Sequence, residues 1–181
     1  MEKLPQEFAR LKDIENPLFK KLYFLGILTK YLERKNIKPI IVGGYAVEFY
    51  TLGSYSTGDI DIVTEDYHEI TNTLQNWGFH KIGRIWVNPH LDIEIDIVGE
   101  TLAGDYSKIS QVEVEGLKVY LIGIEDLIID RLNAWVWWKS EEDKQWAKQL
   151  WKLHQGEIDK DYLKKRAKEE NIVKALEELE K

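Results

Sequence analysis

The sequence of 181 residues contains no cysteine, which excludes disulfide bonds, zinc–thiolate sites and cysteine nucleophiles. Basic side chains are in the minority, because 25 Lys and Arg stand against 32 Asp and Glu, for a formal net charge of −7. This balance argues against the broad basic surface with which proteins neutralise nucleic-acid phosphates. It leaves room for a small, local anion site.

Long apolar runs are also missing. No stretch reaches the about eighteen apolar residues of a membrane span, and residues 1–7 have no apolar core of the signal-peptide kind. We therefore expect a cytoplasmic protein with no membrane partner. One methionine, no cysteine and many Lys, Glu and Ile residues indicate a heat-adapted, thermophile source.

Hydrophobic periodicity predicts helices at both ends of the chain and a mixture of strands and helices between them. The apolar spacing from Leu18 to Glu33 is helical, and the chain reads as helix from Glu125 onward. The predicted strands are Ile40–Val42, Asp59–Val63, Lys81–Val87, Leu91–Val98, Val112–Val114 and Leu117–Tyr120, and further helices are predicted at Tyr45–Leu52 and from Asp66 to near Gly78.

This order of elements is typical of an α/β (α+β) domain, in which a mixed β-sheet is flanked by helices. We expect residues 1–123 to form the α/β core together with its N-terminal helix. Residues 124–181 are expected to form a C-terminal helical extension packed on the same domain.

Two glycines form the first feature with chemical meaning. Gly43 and Gly44 follow the predicted strand Ile40–Val42, and Tyr45 begins the predicted helix. Glycines at such a turn let the backbone approach a ligand closely, and the helix directs its positive end to the same place. A phosphate suits this turn, and a tight turn that binds nothing is the alternative.

Acidic and aliphatic residues alternate in two of the predicted strands. Asp59 and Asp61 share one face of the first strand, with their Cα atoms roughly 6.5–7 Å apart. Asp92, Glu94 and Asp96 share one face of the second. If the two strands are neighbours, these carboxylates crowd a single face of the sheet.

Crowded carboxylates repel one another unless a cation lies between them. Mg²⁺ prefers carboxylate oxygens together with phosphates and water, so one or two such ions would relieve the repulsion. The alternative is an acidic face that is solvated or paired with Lys81, Arg84 and Lys108.

Together, the diglycine turn, the Asp-x-Asp strand and the later acidic strand resemble the nucleotidyltransferase superfamily, which has the DNA-polymerase-beta-like fold. The segments Val42-Gly43-Gly44-Tyr45-Ala46-Val47 and Tyr55-Ser56-Thr57-Gly58-Asp59-Ile60-Asp61-Ile62 are similar to minimal members related to abortive-infection toxins and antibiotic nucleotidyltransferases. The resemblance covers residues 40–98. It implies a Mg²⁺-dependent transfer of NMP from an NTP, such as ATP, to an acceptor.

The resemblance also implies a role for each residue of the site. The third carboxylate is Asp96 by preference, because Ile95-Asp96-Ile97-Val98 matches the family's hydrophobic-Asp-hydrophobic segment, and Glu94 is the second choice. The implied catalytic residues are Asp59, Asp61 and Asp96, the implied metal ligands are these three and Glu94, and the implied nucleotide-binding residues are Gly43, Gly44, Tyr45, Ser56, Thr57 and Arg131.

Two points of this resemblance leave alternatives open. Relatives often carry an arginine shortly before the first Asp, where this chain has Tyr55-Ser56-Thr57, so the phosphate charge has no assigned partner. Arg131 could reach the triphosphate, but an ion pair with Asp126 or Asp130 is the alternative.

The acceptor and the partners follow less directly. The acceptor is a small hydroxyl compound, an RNA end or a protein side chain. The alternative function is a non-catalytic module that binds a nucleotide or a partner protein, as in toxin–antitoxin pairs. Five tryptophans at helical spacing are expected in the core or in self-association to a homo-oligomer; they are Trp135, Trp137, Trp138, Trp146 and Trp151.

Overall fold

The computed structural model describes residues 4–181, which contain a seven-stranded mixed sheet and eight α-helices. The strands are β1 (Ile40–Val42), β2 (Asp59–Val63), β3 (His80–Ile82), β4 (Ile85–Asn88), β5 (Ile93–Gly99), β6 (Ser110–Val114) and β7 (Leu117–Leu121). The helices are α1 (Phe8–Leu11), α2 (Pro17–Glu33), α3 (Gly43–Tyr50), α4 (Tyr67–Asn76), α5 (Ile124–Trp138), α6 (Glu141–His154), α7 (Lys160–Glu169) and α8 (Val173–Leu179).

The strands lie in the order β3–β4–β5–β2–β1–β7–β6. Strand β1 is antiparallel to β2 and parallel to β7, while β2 is parallel to β5. The remaining pairs, β3–β4, β4–β5 and β6–β7, are antiparallel. The mixed α/β architecture predicted from the sequence is confirmed. Within residues 4–181, no helix combines the length and the apolar character needed to cross a bilayer.

The alternating pattern of β2 separates its two faces. Ile60 and Ile62 are completely buried, whereas Asp59 and Asp61 are half-buried on the opposite face. Helix α2 packs on the far end of the sheet, where a Cβ at Gly26 would lie 2.6 Å from Cβ of Leu117. The core therefore occupies the aliphatic face, and the carboxylates are left on the other.

Most predicted strands and helices agree with the structure, but three differ in ways that matter for the site. The predicted strand Leu91–Val98 is Ile93–Gly99, because Asp92 has a positive φ of +56°; Asp92 therefore lies outside β5 and does not share its face with Glu94 and Asp96. The predicted strand Lys81–Val87 is a hairpin of β3 and β4, because Gly83 adopts a positive φ of +62° and turns the chain. The predicted helix Tyr45–Leu52 begins earlier, at Gly43, and ends at Tyr50. The strand start, the hairpin and the earlier helix start all arise at residues with a positive φ, Asp92, Gly83 and Gly43, which the apolar pattern does not report.

The helical extension contacts the core through a buried carboxylate on α5. The side chain of Asp126 is fully buried and accepts hydrogen bonds from the Asp105 backbone N–H (2.9 Å), the Tyr162 hydroxyl (2.9 Å) and Nε of Arg166 (3.3 Å). Burial and the contact with Asp126 raise the pKa of Tyr162, so its hydroxyl remains a donor. We propose on this basis that residues 124–181 fold with residues 1–123 as one domain.

Tyr162→Phe tests this proposal. Removing the hydroxyl takes one donor from a buried carboxylate, which is expected to lower the free energy of unfolding by about 1.5–3 kcal/mol. Urea denaturation should show a single transition that moves as a whole. Tyr67→Phe is the matched control, because Tyr67 is exposed and its hydroxyl accepts a hydrogen bond from the exposed Lys81. A separate, earlier transition of the helical signal would contradict the single domain.

Candidate active site

Three carboxylates meet on the open face of the sheet. Strands β2 and β5 are parallel neighbours, and their register places Asp61 directly beside Asp96. One carboxylate oxygen from each of Asp59, Asp61 and Asp96 lies within 4.8 Å of the others. The two acidic strands, whose pairing the sequence alone did not determine, are therefore neighbours. Their carboxylates meet at one point.

Asp61 lies in surroundings that disfavour its charged form. Burial raises the pKa of its carboxyl, and the neighbouring charges of Asp59 and Asp96 raise it further. The backbone N–H of Gly44 and the charge of Arg131 oppose this rise only in part. In metal-free protein, the site therefore holds negative charge at an energetic cost.

The diglycine turn is shaped around Asp61. Gly43 has a φ of +58°, and a Cβ there would lie 2.1 Å from Oδ2 of Asp61. The backbone N–H of Gly44 donates to the same oxygen at 3.1 Å. The turn thus brings α3 against the carboxylate, and the Gly44 amide that suited a phosphate orients Asp61 instead.

Thr57 links the preceding loop to Asp59. Its hydroxyl donates to Oδ1 of Asp59 at 3.1 Å. Its own backbone is held at both ends, because its N–H donates to Glu48 (3.2 Å) and its carbonyl accepts from Nζ of Lys21 (2.6 Å). Glu48 and Lys21 are buried polar residues that sequence reasoning missed; only their positions within otherwise apolar helices signalled them.

The remaining predicted residues lie in different surroundings. Glu94 pairs in register with Asp59, but it is exposed and lines a second cavity of about 370 Å³ with Ser56 and Thr57. Tyr45 is completely buried, and its hydroxyl donates to the carbonyl of Leu18 at 2.7 Å. The side chain of Tyr45 therefore belongs to the core rather than to the open site.

Arg131 reaches the other side of Asp61. It lines a cavity of about 310 Å³ together with Gly43 and Asp61. Its guanidinium pairs with Asp143 (2.7 Å) and with Asp130. The alternative pairing with Asp130 is thus present, while the one with Asp126 is not, because Arg166 and Tyr162 occupy that carboxylate.

The tryptophans do not form one core cluster. Trp138 is 83% exposed and Trp137 60% exposed, so these two do not lie in the core, and self-association remains the prediction for them. Trp146 packs edge-on against Tyr55, with ring centroids 4.8 Å apart. Tyr55 in turn approaches the diglycine turn, since its hydroxyl would lie 3.3 Å from a Cβ at Gly44. Sequence reasoning missed this contact of Tyr55 with the diglycine turn.

Asp96 meets the side chain of Arg84, which is one of the ion pairs the sequence offered as an alternative. Nε of Arg84 lies 2.8 Å from Oδ2 of Asp96. That oxygen is buried, and no hydrogen-bond donor among residues 4–181 is aligned with it. Lys108, by contrast, pairs with Asp159, and Lys81 contacts Tyr67.

The donor set fits a hard divalent cation. Such ions take carboxylate oxygens, and three of these converge here from two adjacent strands. The buried Oδ2 of Asp96 lacks a hydrogen bond, which a metal ligand would not need. The site therefore suits a metal held by oxygen atoms alone.

Comparison with solved structures agrees with this geometry. The fold is similar to that of an antigenic nucleotidyltransferase-like protein from Paracoccidioides brasiliensis, with a TM-score of 0.56 and 16% identity over 75% of this chain and 76% of that one. It is also similar to the antibiotic-resistance factor ANT(2'')-Ia, with a TM-score of 0.54 and 14% identity over 96% of this chain and 97% of that one. The fold is that of the nucleotidyltransferases.

The family model described as "Nucleotidyltransferase of unknown function (DUF6036)" matches residues 18–181. The chain belongs to this family. A comparison with curated proteins finds no match. The resemblance identified from the diglycine turn and the acidic strands is thereby confirmed.

Proposed function

We propose that the protein is a Mg²⁺-dependent nucleotidyltransferase that transfers NMP from an NTP to a hydroxyl-bearing acceptor. One observation carries this proposal: Asp59, Asp61 and Asp96 offer oxygens within 4.8 Å of one another, beside a diglycine turn that opens a helix. Without a cation, the mutual repulsion of these carboxylates costs free energy. With a cation, they form a metal site that can stabilise a reacting phosphate. Family and fold support nucleotidyl transfer in general.

In the proposed reaction, the acceptor oxygen bonds to the α-phosphorus, the bond to the bridging oxygen breaks, and pyrophosphate leaves. Asp59, Asp61 and Asp96 would hold the Mg²⁺. When bound, the cation neutralises charge on the α-phosphate and activates the attacking hydroxyl. We assign the acceptor proton to Asp96, because one of its carboxylate oxygens lies within 4.8 Å of those of Asp59 and Asp61.

Other residues of the chain support this chemistry by position. Thr57 holds Asp59, and the Gly44 amide holds Asp61, so both carboxylates are oriented before a ligand arrives. Gly43 keeps the turn close to Asp61 without a side chain between them. Arg131 adds a positive charge to the wall of the 310 Å³ cavity, where we place the nucleotide.

We propose a small hydroxyl compound as the acceptor. The net charge of −7 disfavours an extended contact with RNA, which needs many basic residues. ANT(2'')-Ia, which has a similar fold, is an antibiotic-resistance factor. An RNA end and a protein side chain are the other acceptors that an acceptor screen should include.

Calorimetric titration tests the nucleotide site. Wild-type protein should bind at least one of ATP, CTP, GTP and UTP in the presence of Mg²⁺ and lose that binding with EDTA. In Asp59→Ala, the affinity for the Mg²⁺ complex is expected to fall at least tenfold, because one shared ligand of the metal is gone. Binding that survives unchanged in Asp59→Ala contradicts the assigned site.

A second measurement separates an enzyme from a binding module. Labelled NTP incubated with protein and a small-molecule extract should release pyrophosphate and yield a labelled acceptor. A non-catalytic module of the same fold would bind the nucleotide with Mg²⁺ yet release no pyrophosphate with any acceptor fraction.

A further inference from the structure

We propose that Arg84 competes with the divalent cation for Asp96 and, once the cation is bound, turns its guanidinium onto the leaving phosphates of the nucleotide. This inference rests on the proposed function and names the missing phosphate partner of that site. Arg84 lies at the tip of the β3–β4 hairpin, and its Nε is 2.8 Å from Oδ2 of Asp96.

The contact has the character of a displaceable ion pair. The Arg84 side chain is 79% exposed, while that of Asp96 is 4% exposed. The N–H of Arg84 is not aligned with Oδ2, which has no hydrogen-bond donor among residues 4–181. A solvated guanidinium that meets a carboxylate without alignment is weakly held, so a metal ion at Asp96 would displace it.

The hairpin permits the side chain to move. Ile82 pairs with Ile85, so Gly83 and Arg84 alone form the turn. Gly83 adopts a φ of +62°, and a Cβ added to it would have no atom within 4 Å, so the turn is open to solvent. Ile85 is also the register partner of Asp96 on β5. Arg84 is therefore anchored one residue from the metal site, and most of its side chain is exposed.

Phosphate charge requires such a residue here. The segment before Asp59 carries no arginine, and two other cations near the carboxylates are already engaged. Arg131 pairs with Asp130 and Asp143, and Lys21 donates to the carbonyl of Thr57. A divalent ion on Asp96 repels the guanidinium, while phosphate oxygens attract it and accept its paired N–H groups.

Nucleotidyl transfer would benefit from this movement at one defined step. When the acceptor oxygen bonds to the α-phosphorus, the electron pair of the broken P–O bond goes to the oxygen that joined the α- and β-phosphorus, which becomes a terminal oxygen of pyrophosphate. A guanidinium near that oxygen would stabilise its growing charge. Arg84 would thus compete with cations for Asp96 in the metal-free site. With metal and nucleotide bound, it would stabilise the leaving pyrophosphate.

The test compares Arg84→Gln with wild type by two measurements that should move in opposite directions. Mn²⁺ affinity without nucleotide, followed by the electron paramagnetic resonance signal of free Mn²⁺, should increase about two- to fivefold, because the competing charge is gone. Affinity for inorganic tripolyphosphate in the presence of Mn²⁺ should fall about tenfold. Arg84→Lys should fall between wild type and Arg84→Gln in both measurements.

Arg10→Gln is the matched control, since Arg10 is also an exposed arginine paired with a carboxylate, Glu115, but on α1. It should change neither affinity. An unchanged Mn²⁺ affinity in Arg84→Gln overturns the competition, and an unchanged tripolyphosphate affinity overturns the phosphate contact. Failure of the proposed function is distinguishable, because it would show in wild type itself, either as no binding of tripolyphosphate and NTP with Mn²⁺ or as NTP binding without pyrophosphate release.

Discussion

Asp61→Asn is expected to abolish tight metal binding while leaving the metal-free protein at least as stable as wild type. The carboxylate lies within 4.8 Å of two others and is half-buried, which is why its pKa is raised. A raised pKa in a carboxyl group means that the folded protein holds its charged form less well than the unfolded chain does. The free energy of unfolding therefore falls as pH rises through this titration.

Asparagine removes that penalty and keeps an oxygen that can accept from the Gly44 amide. The free energy of unfolding without metal should rise by roughly 0.5–2 kcal/mol at neutral pH. Added Mg²⁺ should raise the melting temperature of wild type but not of Asp61→Asn, because only the former keeps the ligand set. Differential scanning calorimetry with and without Mg²⁺ measures both effects.

Glu94→Gln is the matched control for this experiment. Glu94 lies on the neighbouring strand opposite Asp59, yet it is exposed and outside the group of three. Its loss should leave the Mg²⁺-dependent rise intact. If Glu94→Gln removes that rise as fully as Asp61→Asn does, the third ligand is Glu94 and our assignment of Asp96 is wrong.

Gly43→Ala is expected to damage both the fold and the site. A Cβ at this position would lie 2.1 Å from Oδ2 of Asp61, a separation that requires the carboxylate or the turn to move. The φ of +58° adds a strain of about 1–2 kcal/mol for any residue with a Cβ. Metal affinity should fall about 10- to 100-fold, because the carboxylate loses its orientation.

Gly116→Ala separates the backbone strain of a positive φ from the contact with Asp61 as causes of the lost metal affinity. Gly116 also has a positive φ, +78°, but within residues 4–181 a Cβ there would meet no atom within 4 Å beyond its chain neighbours. The backbone strain should lower the urea midpoint of this variant, while its Mn²⁺ affinity should equal that of wild type. Equal losses of metal affinity in both variants would mean that general destabilisation, rather than contact with Asp61, explains the effect of Gly43→Ala.

Local sequence patterns were sufficient to predict much of the secondary structure of this protein. The alternation in β2 places Asp59 and Asp61 on one face, because successive side chains of a strand point in opposite directions. Asp66, Ser140 and Asp159, which are residue types favoured at helix N-caps, each accept from a backbone N–H three residues later in the structure. These features depend only on residues close in the chain.

Contacts between distant segments needed the tertiary structure. The choice of Asp96 as the partner of Asp61 follows from the parallel register of β2 and β5, and no local pattern reports which strands are neighbours. The split of Lys81–Val87 into a hairpin carries Arg84 to Asp96, and long-range packing carries Glu48 and Lys21 to Thr57. Periodicity reports which face a residue occupies, whereas strand order and turns decide which residues meet across that face.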